Sequence, residues 1–301
     1  MGGVVFVILD GFAKIFERII IVAERTTPGM NAALTIGGSD SSGGAGIQAD
    51  MKTWTAMRVY GCCAVTAIAV QNTRKVGRVQ AVDAGLVGEQ IEMVASDIDC
   101  RAAKTGLMPN AEVVRVVAKA IKGGNLQPLV VDPSLIAKSG DRLADDETMS
   151  AMAKRLFPLA AVVVPSRFEV ARLLGGKGCE TMGQGVSAAK ELSRKYGCHA
   201  VIVKGFERPG ETVDSPAEMV DIFWNGEEVI ELVGECRLTK NLTGAGCVFS
   251  AGITGGLVLG MDLVEAVLQA KRMVTEAIRQ ATDLGSGYGP VNHGAWIDVK
   301  K

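Results

Sequence analysis

The chain has 301 residues, 48% hydrophobic and 22% charged, with 32 Lys and Arg against 33 Asp and Glu. The resulting charge of −1 removes the electrostatic case for a nucleic-acid binder, and the apolar content excludes disorder as the main state. Glycine is in surplus at 37 residues without a Gly-X-Y period, so collagen is excluded and many tight turns and close backbone approaches are expected.

Residues 1–29 contain two apolar runs, Val4 to Leu9 and Ile19 to Ala23, interrupted by Asp10, Lys14, Glu17 and Arg18. No stretch approaches the ~20 apolar residues of a membrane span, and the basic start of a secretory signal is missing. Positions 5, 8, 12, 15, 16 and 19 would share one helix face. The alternative is an artefact, with translation starting at Met30. Either way 1–29 reads as an extension and 30–301 as one domain.

From Met30 the signals alternate between strand and helix. Ala32 to Ile36 reads as a buried strand and Gly37 to Gly46 as a glycine-serine loop. Residues 47–57 have helical spacing, and Cys63 to Val70 is a β-branched strand. Helices are expected over Leu86 to Ile98, Ala111 to Ile121 and 187–196. Leu129-Val130-Val131, Ala161 to Val164 and Ala200 to Val203 are continuous apolar runs, which suit strands covered on both faces. Met219 to Trp224 and Glu228 to Val233 flank Asn225-Gly226, a strong hairpin signal. Helix returns over Gly246 to Leu259 and Leu263 to Ala281. Repeated βα units without a repeat or linker imply one α/β domain with a mostly parallel sheet. The seven cysteines lack a C-x-x-C pair, and only His199 and His293 could join them on a metal. A disulfide scaffold or zinc site is therefore not expected, and a reducing cytosol is the expected compartment.

Ligands of an open parallel sheet bind beyond the carboxyl ends of its strands. The residues expected there are Gly37 to Asp40, Gln71-Asn72-Thr73, Lys104-Thr105-Gly106, Asp132-Pro133, Pro165-Ser166, Lys204-Gly205 and Gly244 to Cys247. The last group opens a helix, where bare N–H groups and the helix dipole stabilise an anion. It is neither a Walker loop, since no Gly-Lys-Ser/Thr follows, nor a Rossmann fingerprint. Each group alone is also compatible with ordinary turn chemistry.

Together the residues resemble a known family. The run Leu34 to Thr53, with Gly37-Gly38-Ser39-Asp40-Ser41-Ser42-Gly43-Gly44-Ala45-Gly46 at its centre, is similar to the opening of the hydroxymethylpyrimidine and hydroxymethylpyrimidine-phosphate kinases. These are ribokinase-like proteins of thiamine biosynthesis. The likeness continues in order through Tyr60-Gly61-Cys62, Gln71-Asn72-Thr73, Lys104-Thr105-Gly106, Asp132-Pro133, Ala137-Lys138-Ser139-Gly140, Glu169, Lys204-Gly205, Gly244 to Cys247 and Gly289 to His293. It implies a ribokinase-like three-layer αβα sandwich, an ATP-dependent kinase acting on a small-molecule pyrimidine with Mg2+, and a cytoplasmic homodimer. By this resemblance Gly244, Ala245 and Gly246 form an anion hole, Lys204 neutralises phosphate, and Asp132 and Glu169 hold magnesium. Gln71, Gly38 and Asp50 bind the pyrimidine, and Cys247 takes the place of a catalytic base. A helix N-terminus and a nearby Lys204 would favour its thiolate.

The chain departs from the family pattern at Ser166, often Asn, at Leu242-Thr243, usually Thr-His, at Ala245, usually Thr, and at Phe206-Glu207 after Lys204-Gly205. These changes bear on the nucleotide side. Two alternatives stay open: a pyridoxal-type vitamin kinase with the same phosphate machinery, and a non-catalytic pyrimidine or nucleotide sensor.

Overall fold

A computed structural model describes residues 30–299 apart from 125, 136–142, 177–178 and 211–216. The extension 1–29 and the motif Ala137 to Gly140 lie outside the described residues. A nine-stranded sheet runs in the order β3-β2-β1-β4-β5-β6-β7-β8-β9. Its strands are β1 (Ala32–Asp40), β2 (Tyr60–Gln71), β3 (Val76–Ala81), β4 (Cys100–Thr105), β5 (Leu129–Val131), β6 (Val162–Val163), β7 (Val201–Arg208), β8 (Glu218–Trp224) and β9 (Val229–Glu235). Strands β2, β1, β4, β5, β6 and β7 pair in parallel. Antiparallel β3 closes one edge, and the β8–β9 hairpin the other.

Strand side chains alternate between two cores, the period of two that a pleated strand imposes. Leu34, Ile36, Ala103, Leu129, Val131, Val163, Val201 and Val203 face one apolar cluster, completed by α2 (Ala84–Ala95), α3 (Ala111–Gly123), α4 (Asp146–Arg155), α5 (Arg167–Leu173) and α6 (Met182–Tyr196). Ala33, Ala102, Val130, Val162, Val164, Ala200 and Ile202 face the opposite layer of α1 (Gly46–Met57), α7 (Ala245–Val258) and α8 (Leu263–Arg279). A short α9 (Ala295–Val299) follows. The result is the αβα sandwich that the resemblance implies. Helix α7 is apolar nearly all round and buried over most of its length, as a helix between a sheet and other helices must be. Trp54 Nε1 donates to the Ala251 carbonyl at 2.9 Å and joins α1 to α7.

Several expected boundaries move. Strand β1 does not stop at Ile36: its parallel ladder to β2 shifts register between Gly37 and Gly38 and continues to Asp40 paired with Ala69. Lys104 and Thr105 belong to β4 rather than to a turn after it. Helix α2 starts at Ala84 because Asp83 accepts the Leu86 N–H, and it ends at Ala95. Helix α6 begins at Met182, earlier than residue 187, because Thr181 and Gln184 form a capping box. Strand β7 runs past Val203 to Arg208. Elements β3, α4 and α5 were not expected: β3 is exposed along most of its length, and α4 and α5 are short helices started by Asp145 and Ser166 side chains.

Candidate active site

A cleft of about 270 Å³ opens at the carboxyl ends of the parallel strands, the place such a sheet dictates. Gly38, Asp50, Gln71, Asp132, Glu169, Lys204, Gly244, Gly246 and Cys247 all line it; of the expected site residues Ala245 does not.

The first wall is the β1–α1 loop. The Asp40 carboxylate accepts from Ser42 N–H and Oγ at 2.7 Å each, and from Gly44 N–H at 3.1 Å and Ala45 N–H at 2.8 Å. Asp40 is thus consumed in shaping the loop. Across from it Gly38 lies so close to Leu107 that a Cβ would sit 2.8 Å from Leu107 Cδ2. Gln71 closes β2 with its backbone held by Ser41 Oγ at 2.8 and 3.0 Å. Its side-chain amide has no hydrogen-bond partner among the described residues and lines the cleft.

The floor is ionic. Lys104 Nζ meets Asp50 Oδ2 at 2.9 Å, and Thr35 Oγ1 donates to the same oxygen at 2.7 Å. Burial pushes the Asp50 carboxyl above its ordinary value against the pull of Lys104. Burial alone would lower Lys104, but the Asp50 carboxylate beside it, with Asp132, outweighs burial and holds the ammonium charged. The expectation that a nearby Lys204 favours the Cys247 thiolate is corrected. Lys204 Nζ instead lies 3.6 Å from Asp132 Oδ1, while Lys104 is the main cation opposing burial at the Cys247 sulfur. The preformed thiolate is corrected with it: burial pushes the Cys247 thiol up to about 12, with Lys104 and the Gly46 N–H pulling the other way.

The far wall is the start of α7. Gly244 has φ 83°, and a Cβ there would lie 2.0 Å from the Gly44 carbonyl oxygen, so only glycine makes this turn. Ala245 donates its N–H to the Leu242 carbonyl at 3.2 Å and Val248 to Gly244 at 2.8 Å. The N–H groups of Gly246 and Cys247 find no acceptor among the described residues. Those two, rather than that of Ala245, are the open donors of the helix terminus. Ser250, one turn on, donates from its Oγ, which lies 2.9 Å from both Asp132 Oδ2 and the Gly246 carbonyl oxygen. It ties the carboxylate to the same turn.

Comparison with known proteins identifies the family. The model of the family described as phosphomethylpyrimidine kinase matches residues 40–292. The chain belongs to this family. The phosphomethylpyrimidine kinase family includes close relatives by sequence: a hydroxymethylpyrimidine/phosphomethylpyrimidine kinase of Rhizobium meliloti is 40% identical over 263 residues, covering 87% of this chain and 96% of its own. The phosphomethylpyrimidine kinase of Clostridium difficile is 35% identical in its crystal structure, with TM-score 0.69 over 82% of this chain and 99% of that one. A pyridoxal kinase of Bacillus subtilis, solved as an ADP complex, is also 35% identical, with TM-score 0.79 over 88% of this chain and 98% of that one.

A magnesium ion fits the carboxylates here. Asp132 is buried, yet its Oδ1 has only the Lys204 contact at 3.6 Å, beyond hydrogen-bond length. Glu169 Oε1 accepts from Leu135 N–H at 2.6 Å, and Oε2 from Ser166 N–H at 2.7 Å and Ser166 Oγ at 2.8 Å. Glu169 is thus oriented by a capping box, with lone pairs left over. No group of three or more His, Cys, Asp or Glu that could hold a metal exists among the described residues. Magnesium takes one or two carboxylates, completed by phosphate and water.

Sequence reasoning missed Thr35, Ser250 and the function of Lys104. The Ser166-x-x-Glu169 spacing is a capping-box signature that the sequence expectations passed over. Lys104 was not legible, because a lysine at a strand end reads as exposed. Among the described residues no helix is long and apolar enough to cross a membrane.

Proposed function

We propose that the chain transfers the γ-phosphoryl group of ATP to the hydroxymethyl oxygen of 4-amino-5-hydroxymethyl-2-methylpyrimidine, and a second to the phosphate of the product. The observation that carries this reading is the pair of unengaged N–H groups at Gly246 and Cys247 beside Lys204. They form an anion site on the same cleft as the unengaged Gln71 amide. An amide offers both the donor and the acceptor that an aminopyrimidine edge requires. Asp50 bounds the ring pocket, and Gly38 lets the ring approach the backbone.

In the transfer the hydroxymethyl oxygen bonds to the γ-phosphorus as the bond to the β-phosphate oxygen breaks and ADP leaves. Such a loose transition state needs alignment and neutralised charge more than covalent help. Gly244 supplies the turn, Gly246 and Cys247 donate to the phosphoryl oxygens, and Lys204 compensates their charge. Asp132 and Glu169 would hold magnesium, whose chemistry when bound is to neutralise phosphate charge. Cys247 is the base of this reading: its thiol first gives its proton to bulk water, and the thiolate so formed takes the hydroxymethyl proton late in the transfer. The working form is a cytoplasmic homodimer. A reducing cytosol suits a chain with seven cysteines and no C-x-x-C pair.

A coupled assay of ADP release with ATP, magnesium and each acceptor tests the reading. Turnover with the pyrimidine alcohol and its monophosphate supports it. Turnover with pyridoxal alone favours the second reading, which the likeness to the Bacillus subtilis pyridoxal kinase supports. No turnover with any acceptor favours the sensor.

A further inference from the structure

Lys204 owes its direction to an irregularity in β7. Val203 pairs with Ile222 and Phe206 with Val220, so Lys204 and Gly205 together oppose the single residue Asp221. Such a bulge turns a side chain out of the regular alternation. Here it delivers a lysine to the cleft from a strand whose Val201, Ile202, Val203 and Phe206 feed the two cores. The bulge is held from three sides. Lys204 N–H donates to the Pro165 carbonyl at 2.9 Å. Gly205, at φ 99°, donates its N–H to Asp221 Oδ1 at 2.8 Å. Asp221 Oδ2 in turn receives Lys271 Nζ from α8 at 2.8 Å, and the same ammonium reaches the Met219 carbonyl at 3.0 Å.

Asp221 and Lys271 are both buried, and neither lines the cleft. A buried ion pair is a weak stabiliser compared with apolar packing, so stability alone gives little reason for it. Its second carboxylate oxygen is spent on one backbone amide, next to the residue that faces phosphate. We propose that Asp221 is a positioning residue for Lys204. By accepting from the Gly205 N–H it fixes the bulge, and Lys271 keeps that carboxylate in place from α8. The inference rests on the role of Lys204 given under Proposed function.

Two double variants separate anchoring from stability. Asp221→Asn/Lys271→Met removes both charges and keeps an oxygen acceptor for Gly205. Asp221→Leu/Lys271→Met removes the acceptor as well. With ATP, magnesium and the pyrimidine, the first should keep kcat within about threefold of wild type. The second should lose about tenfold or more, the scale of a misplaced catalytic group, with the pyrimidine KM unchanged and Tm no lower than in the first. ADP affinity by titration calorimetry should fall in the same order, which reads the anchor without turnover. Equal kcat and equal ADP affinity in the two variants overturn the proposal, as does a loss that follows Tm in both. Should the leucine variant fail to fold, Gly205→Ala makes the comparison. Its Cβ meets open space but its φ is strained, so a folded protein with wild-type kcat and ADP affinity likewise overturns the anchor. Wild-type protein inactive with every acceptor would refute the kinase reading, whereas an active wild type with unaffected variants refutes the anchor alone.

Discussion

Lys104 Nζ lies 2.9 Å from Asp50 Oδ2 with both side chains only 1% exposed, a buried ion pair directly beneath the cleft. Among the described residues Asp50 Oδ1 has no hydrogen-bond partner, so the carboxylate depends on Lys104 and Thr35 for its compensation. Removing one partner of such a pair strands the other charge and costs about 3–5 kcal/mol. Lys104→Met should therefore lower the free energy of unfolding in urea by that amount, and Asp50→Asn/Lys104→Met should regain most of it. A single variant within about 1 kcal/mol of wild type would contradict a charged pair.

The two glycines of the α7 turn separate fold from chemistry. At Gly244 an alanine meets the Gly44 carbonyl and holds φ 83° against its own Cβ, a cost of about 1–2 kcal/mol from the backbone alone. Gly244→Ala should lower both Tm and turnover. At Gly246 the Cβ would sit 3.6 Å from Lys204 Nζ and 3.7 Å from Asp132 Oδ2, ordinary contact distances. Gly246→Ala should keep the wild-type Tm and lose kcat, because the methyl group occupies the polar side of the anion site. Circular-dichroism melts alongside the coupled assay distinguish the two.

The sheet was readable because its central strands are continuous apolar runs. Leu129-Val130-Val131 sits where that signal placed it, and the Asn225-Gly226 hairpin likewise. Less was readable where polar side chains set the structure. Residues Ser39 and Asp40 looked like loop, yet they extend β1 through ladder bonds that carry no sequence signature. Of the residues expected at the strand ends, Thr105, Pro133, Pro165, Gly205 and Ala245 stay out of the pocket and the others line it, since the carboxyl ends of parallel strands converge. Pairings across the pocket were not legible: nothing in the spacing says that Lys104 faces Asp50 and Cys247 while Lys204 faces Asp132.

Gln71 has a backbone fixed by Ser41 and a side chain free to bind. Gln71→Leu should leave Tm and ADP affinity unchanged and reduce kcat/KM for the pyrimidine. A lost hydrogen bond that strands its partner is worth about 1–3 kcal/mol, a fall of roughly tenfold or more. An unchanged kcat/KM would remove Gln71 from the ring pocket.

Residues 1–29 contribute no chemistry identifiable in the sequence, and the family match begins at residue 40. We propose that they are dispensable. Protein starting at Met30 should match the full chain in solubility and turnover; loss of soluble protein would favour a packed amphipathic helix.

Cys247 poses the sharpest test, because its place in the cleft and its protonation point in opposite directions. The residue lines the cleft beside the open helix terminus, but burial holds its thiol at about 12. With the pKa raised, the free protein carries the thiol at neutral pH, and thiolate appears only as pH rises toward that value. Alkylation of Cys247 by iodoacetamide, read by peptide mass to separate it from six other cysteines, should be slow at pH 7. It should climb about tenfold per pH unit above pH 8, as thiolate chemistry requires. Rapid alkylation at pH 7 would show that Lys104 and the helix terminus overcome burial even in the empty site. Turnover then decides whether the sulfur takes the proton. General-base help is worth about 10²–10⁴-fold, so Cys247→Ala should lower kcat on that scale with pyrimidine KM near normal, and Cys247→Asp should recover part of it. An alanine variant with near-normal kcat would reduce the contribution of this residue to its backbone N–H, which alanine retains, and would leave the phosphoryl oxygens themselves to take the proton.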